Sequence, residues 1–129
     1  ENFMPIKANG QLEIIDKNIE LVPGVVLRLY NGHTEGQIIP FIKYNNKTIV
    51  YLADLIPTSA HIPLSWVCGY DTKPLMAMDE KKEFLEQALA NDYTLFFEHD
   101  INVECCSLKM TEKGIRHGET YKLKDFLAD

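Results

Sequence analysis

Short apolar runs separated by polar turns dominate the first half of the chain, which is the pattern of β-strands. The predicted strands of this half are residues 12–15, 18–21, 25–30, 37–44 and 47–53. Asn45-Asn46 predicts a tight hairpin turn between the last two, because Asn tolerates positive φ. Residues 48–52 have almost no polar face, so this strand is expected to be central and covered on both sides. Pro40 predicts an edge strand or a bulge in the arm that precedes it.

One helix and three further strands are predicted in the second half. Residues 79–90 predict an amphipathic helix, with charged residues opposite an apolar stripe. That stripe is Phe84, Leu85, Ala88 and Leu89. The proline-broken stretch 56–76 has its own apolar residues, which favours a functional loop with a short helical turn over a linker. Residues 93–98 predict another buried strand, and 104–110 with 117–123 predict a last hairpin.

Composition places the chain among ordinary soluble globular proteins. Its 129 residues suffice for one domain, 46% of them are hydrophobic and 25% are charged. The net charge of −6 argues against nucleic acid as a partner, and no apolar run is long enough to cross a membrane. Three cysteines without a Cys-x-x-Cys pair are typical of reduced, buried residues in a cytoplasmic protein. Because the first residue is Glu1, we expect a chain that was processed, cut or expressed as part of something longer.

Three polar side chains lie where predicted strands end. His33 is in a glycine-bracketed loop between two strands, Asp54 follows a buried strand, and His99 ends another. Ligands collect at such positions in layered α/β folds, and imidazole with carboxylate is a usual donor set for zinc. Each residue alone also has an ordinary structural role as a turn residue, a helix cap or a solvated strand end.

The flanking residues resemble three motifs of the metallo-β-lactamase superfamily, in the family's order. Residues 32–37, Gly-His-Thr-Glu-Gly-Gln, closely resemble its Gly-His-Thr-Pro-Gly-His motif. Residues 48–54, ending Leu-Ala-Asp, resemble its strand ending in Gly-Asp, and 96–100 resemble the late strand whose terminal His completes the site. Glu35 stands where the family usually has Pro, and Ala53 where it usually has Gly.

The resemblance implies an α/β fold, one half of the family's αββα sandwich, with a mixed sheet and a helix layer. His33 would bind one of two divalent metal ions, expected to be zinc, His99 the other, and Asp54 would bridge them. Such a centre hydrolyses an ester, lactone or amide with metal-activated hydroxide. The family's His-x-His-x-Asp-His signature is absent from this sequence. We therefore expect residues 1–129 to be a single partial domain, the carboxyl-terminal half, inactive by itself.

Two further expectations concern His61 and the partners. His61 is a candidate catalytic residue in a substrate wall with Trp66 and Tyr70, or else a hydrogen-bonded structural histidine. The expected partners are a small-molecule substrate and, for the apolar face of a half sandwich, the amino-terminal half or a second copy. The alternative function is a non-catalytic α/β binding or assembly module that matches the three motifs by chance or decayed ancestry.

Overall fold

A seven-stranded mixed sheet forms the framework of the chain in a computed structural model that describes residues 2–128. The strands are β1 (Ile19–Val22), β2 (Val25–Tyr30), β3 (Gln37–Tyr44), β4 (Lys47–Tyr51), β5 (Thr94–Phe96), β6 (Cys105–Thr111) and β7 (Gly114–Tyr121). The helices are α1 (Met4–Ala8), α2 (Pro74–Ala90) and α3 (Leu123–Ala128), with a 3₁₀ turn at Ser59–His61. No helix in this described part has both the length and the apolar character needed to span a bilayer.

The strands lie in the sheet in chain order, and every neighbouring pair is antiparallel except β4 and β5. The parallel pair requires a crossover, which the loop after β4 and helix α2 provide. Because β2 and β4 are both antiparallel to β3, β2 points the same way as β4 and β5. The carboxyl ends of these three strands therefore meet at one edge of the sheet.

Helix α2 covers one face of the sheet and makes the main core. Phe84, Leu85 and Ala88 pack there against alternate strand residues, including Phe41 of β3 and Leu95 of β5. Helix α3 covers part of the opposite face, where Phe126 packs in a smaller cluster. The members of that cluster are Ile49, Cys105 and Phe126. Both faces of β4 are thus covered, as the sequence predicts for a central strand.

Several predicted boundaries are wrong. No strand forms at residues 12–15, where Leu12 and Ile14 are exposed and no neighbouring strand pairs with them. Helix α2 begins at Pro74 rather than residue 79, because proline is well suited to the first helical turn. The strand predicted over 93–98 shortens to Thr94–Phe96, and β7 begins at Gly114 rather than residue 117.

The prediction for Pro40 is wrong for β3 as a whole, because β3 lies between β2 and β4. Pro40 pairs with Leu27 of β2, whereas the pairing with β4 begins one residue later, at Phe41. At Pro40 itself the strand therefore has a described neighbour on one side only, which is where a residue without an N–H is tolerated.

Candidate metal centre

The structure brings His33, Asp54 and His99 together at the edge where β2, β4 and β5 end. Asp54 Oδ2 lies 3.4 Å from His33 Nε2, and Asp54 Oδ1 lies 3.2 Å from His99 Nε2. One carboxylate therefore faces two imidazoles, one with each oxygen. Side-chain exposure rises from 15% for His33 through 32% for Asp54 to 52% for His99, so the cluster opens to solvent on the His99 side.

The loop that carries His33 is held by the segment that leads into α2. Glu80 accepts hydrogen bonds from the backbone N–H groups of Asn31 and Gly32, at 2.7 and 2.9 Å. The N–H of Thr72 donates to the carbonyl of His33 at 3.0 Å, and that of Lys73 to Gly32 at 2.9 Å. These four hydrogen bonds leave the loop little freedom, although its sequence is polar and rich in glycine.

Asp54 lies within a tight turn after β4, in which Leu55 N–H donates to the carbonyl of Leu52 at 3.0 Å. Ala53 in this turn has φ of 41°, in the left-handed region that favours glycine. This is the position at which the resembled family usually has Gly. The departure at Ala53 therefore retains the turn and adds backbone strain to it.

Asp100 fixes the loop that follows His99. It accepts hydrogen bonds from both the N–H and the hydroxyl of Ser59, at 2.9 and 2.6 Å, and from the N–H groups of Asn102 and Val103. Burial alone would raise the pKa of Asp100, but these hydrogen bonds outweigh burial and hold that pKa at about 2. Asp100 thus ties the 3₁₀ turn to the loop that follows His99.

Within the described residues 2–128, His61 makes no hydrogen bond or ion pair with His33, Asp54 or His99. Its Nδ1 lies 2.8 Å from the hydroxyl of Thr58, and its carbonyl accepts a hydrogen bond from Lys81. It lines a small cavity of about 10 Å³ beside the cluster, together with Trp66 and Asp71.

Two neighbours of the cluster, Asp71 and Lys81, were not predicted from the sequence. Asp71 Oδ1 lies 3.0 Å from His33 Nδ1, with the Asp71 side chain only 5% exposed. Lys81 is buried on α2, and its Nζ donates to three carbonyls, those of His61, Pro63 and Trp66. Burial lowers the pKa of Lys81 to about 8, and the nearby Asp71 opposes that change.

Tyr51, the last residue of β4, adds a phenol to the same edge of the sheet. Burial, followed by the carboxylates of Glu98 and Asp54, raises the pKa of Tyr51 to about 12. The phenol therefore remains protonated, and it carries no negative charge next to Asp54 at neutral pH.

No protein-family model matches the sequence, and no curated protein matches it significantly. Solved structures match it well. A probable metal-dependent hydrolase from Staphylococcus aureus has a TM-score of 0.73 and 26% identity over 88% of this chain and 42% of its own. AidC, described as a dizinc quorum-quenching lactonase, has a TM-score of 0.73 and 25% identity over 88% and 40%. This chain has one half of a metallo-β-lactamase fold.

The similarity covers most of this chain but less than half of each matched structure. A hydrolase of the β-lactamase superfamily, AbOPH, matches with a TM-score of 0.69 over 92% of this chain and 42% of its own. Because its sequence identity is only 16%, this match supports the fold and nothing more. The chain spans about two fifths of the length of the solved structures that it matches. The predicted fold class, a mixed sheet with a helix layer that forms half of a metallo-β-lactamase sandwich, is thereby confirmed.

Proposed function

We propose that the whole protein is a metal-dependent hydrolase of the metallo-β-lactamase superfamily, and that this chain supplies three ligands of its metal centre. The observation that carries the proposal is the position of Asp54 between two imidazoles, with one oxygen directed to each Nε2. A carboxylate that bridges two metal ions needs this arrangement. Two imidazoles and a carboxylate also form a donor set suited to zinc.

Each side chain has a separate role in this proposal. His33 and His99 would each hold one divalent ion through Nε2, and Asp54 would hold both. Metal ions held by these residues would lower the pKa of a water molecule and so supply hydroxide near neutral pH. We assign His61 to the wall of the site rather than to proton transfer, because Thr58 already engages its Nδ1.

The substrate class follows from the superfamily and from the similar structures. One of those structures is described as a lactonase, so we propose an ester, lactone or amide as the substrate. Three ligands are too few for a complete binuclear centre, and the His-x-His-x-Asp-His run is absent here. The remaining ligands would come from residues outside this sequence. The chain alone should therefore bind zinc weakly and hydrolyse nothing at a useful rate.

Zinc titration of the purified chain against a chromophoric chelator tests the proposal. We expect weak zinc binding that is lost in His33→Ala, Asp54→Ala and His99→Ala. His117→Ala is the matched control, because His117 is an exposed histidine on β7 away from the cluster. Absence of zinc binding in the wild type, or binding that survives all three substitutions, would favour a non-catalytic module instead.

A further inference from the structure

Asp71 contacts His33 on the side of the ring opposite the cluster. Its Oδ1 lies 3.0 Å from His33 Nδ1, while Nε2 of the same ring faces Asp54 at 3.4 Å. The second oxygen of Asp71 accepts a hydrogen bond from the backbone N–H of Cys68 at 3.1 Å. With 5% side-chain exposure and both oxygens engaged, Asp71 is a fixed group and not a solvated surface charge.

In the hydrogen bond between His33 and Asp71, the histidine is the donor. An ionised carboxylate can only accept hydrogen bonds, so the proton between the two residues belongs to His33 Nδ1. Of the two ring nitrogens, Nδ1 makes the hydrogen bond, whereas the 3.4 Å separation of Nε2 from Asp54 is an ion-pair distance, so a single ring proton is placed at Nδ1 and Nε2 keeps its lone pair. The atom that faces Asp54 is therefore the atom that is prepared to bind a metal ion.

The backbone keeps the two residues in register. Thr72, the residue after Asp71, donates its N–H to the carbonyl of His33, and its hydroxyl donates to the same carbonyl at 2.8 Å. The buried ammonium of Lys81 lies close enough to interact with Asp71 electrostatically, which offsets the cost of burying the carboxylate. Asp71 and His33 are thus held together through both their side chains and the neighbouring backbone.

We propose that Asp71 is a positioning residue for His33, which holds the proton on Nδ1 and sets the plane of the ring so that Nε2 faces the metal. The inference rests on the proposed function, because it concerns a ligand of that centre. Carboxylates that bind the second nitrogen of a metal-bound histidine raise metal affinity by about 10- to 100-fold. We expect an effect of that size here.

A rival arrangement uses the same residues differently. Ligand atoms of His33, Cys68 and Asp71 all lie within 4.8 Å of one another, which makes these three residues an alternative donor set for a metal ion. Such an ion would have to displace the hydrogen bond at His33 Nδ1 and the one from the Cys68 N–H to Asp71. Both are present, and no rearrangement is needed for binding at Nε2. The geometry therefore favours the positioning role.

The first test needs no metal. Long-range ¹H–¹⁵N correlation spectra of the metal-free wild-type chain report which nitrogen of His33 carries the proton. We expect the neutral ring to carry its proton on Nδ1, and a neutral ring with its proton on Nε2 would overturn the proposal. This result does not depend on whether a variant folds.

The second test compares zinc affinity in Asp71→Asn with the wild type. The amide can donate to Nδ1 and shift the proton to Nε2, so we expect zinc affinity to fall about 10- to 100-fold. Asp79→Asn removes the same charge from an exposed position of α2 and should leave affinity unchanged. Urea unfolding of both variants checks that the fold is retained.

The outcomes separate this inference from the proposed function. Zinc binding that depends on His33 but is unchanged in Asp71→Asn would overturn the positioning role and leave the metal centre standing. A wild-type chain that binds no zinc would overturn both. If Cys68→Ser weakens zinc binding as much as Asp71→Asn does, the metal is held among Cys68, Asp71 and His33, and the positioning role is wrong.

Discussion

At the scale of single residues, Gly32 lets the loop that carries His33 pack closely against the core helix α2. A Cβ at Gly32 would lie 2.4 Å from the backbone N and Cα of Ala77 on α2, a distance that no packing adjustment of side chains can relieve. The absence of a side chain thus lets α2 approach the loop closely. It also places Glu80 where it can bind the N–H groups of residues 31 and 32.

Gly32→Ala should therefore push the His33 loop away from α2. We expect a loss of about 1–3 kcal/mol in the free energy of unfolding and weaker zinc binding, because His33 moves with the loop. Gly69→Ala is the control, since a Cβ there meets open space. Urea unfolding and zinc titration measure both effects. Equal stability of the two variants would show that contact with Ala77 does not position the loop.

Ala53 offers a prediction of the opposite sign. Glycine adopts its φ of 41° without a Cβ penalty, so Ala53→Gly should raise the free energy of unfolding by up to about 1 kcal/mol. Ala60→Gly, at an exposed position of the 3₁₀ turn, should instead leave stability unchanged or lower it. The urea midpoints of the two variants and the wild type measure these changes in stability. A destabilised Ala53→Gly would mean that the turn holds alanine without strain.

At the scale of elements, α2 joins the core, the His33 loop and the long connection. Ala77, Lys81, Phe84, Leu85 and Ala88 are its buried positions, so a lysine occupies one place in an otherwise apolar stripe. Its ammonium holds the carbonyls of His61, Pro63 and Trp66, and so fixes residues 61–66 against the helix.

The buried ammonium predicts a pH dependence. The pKa of Lys81 is about 8 in the fold, below its value of about 10.4 in an unfolded chain, so the unfolded chain binds more protons between these pH values. The stabilising contribution of the neutral form is complete above pH 10.4 and is lost as the pH falls through 8. Relative to Lys81→Met, the wild type should therefore gain stability as the pH rises from 7 to about 10.

Lys82→Met is the control for that experiment, because Lys82 is 56% exposed and pairs with Glu86 on the surface. The difference between wild type and Lys82→Met should stay constant over the same pH range. Unfolding by urea at pH 7, 8, 9 and 10 gives the comparison. A constant difference for Lys81→Met as well would show that the lysine stays charged, stabilised by its three carbonyls.

The sequence predicts those structural features that depend on residues close together in the chain, and it predicts poorly those that depend on tertiary contacts. Strands β2 and β3 and the Asn45 turn follow from alternating patterns and turn chemistry, and they were predicted with the bounds that they have. Residues 12–15 have strand-like composition but no partner, and a strand needs cross-strand contacts as much as propensity. The convergence of His33, Asp54 and His99 was accessible because all three follow strands that end at one edge.

Asp71, Glu80 and Lys81 were missed because their roles depend on tertiary contacts. Asp71 is 38 residues from His33, and Glu80 is 49 from Asn31, so no local spacing connects them. A signal did exist for Lys81. It lies four residues after Ala77 and three before Phe84, on the stripe that periodicity assigns to the core.

At the scale of the whole molecule, one part of the sheet is incompletely covered. Because Ile39 and Phe41 of β3 face α2, their neighbours Ile38 and Ile42 face the other side. These two are 41% and 37% exposed, whereas on the neighbouring strand Ile49, the cross-strand partner of Ile42, is covered on the same face by α3. We call the surface at Ile38 and Ile42 the open face. The amino-terminal half of the same protein, or a second copy of this chain, is the partner that we propose for it.

Sedimentation velocity of the chain at micromolar concentration tests this proposal. We expect association, reduced in the double variant Ile38→Lys with Ile42→Lys, since lysines on the open face oppose apolar contact. Ile101→Lys is the control, because Ile101 is 95% exposed in a loop away from that surface. A wild-type monomer that binds no hydrophobic dye would contradict the proposal.

The central claim is that His33, Asp54 and His99 hold metal at one edge of the sheet. Its most direct test is a crystal structure of the chain grown with zinc, with anomalous data collected on both sides of the zinc absorption edge. We predict anomalous density about 2.0–2.2 Å from Nε2 of His33 or His99 and from an oxygen of Asp54. Zinc found instead among His33 Nδ1, Cys68 and Asp71, or a zinc-soaked crystal without density at Asp54, would contradict the claim.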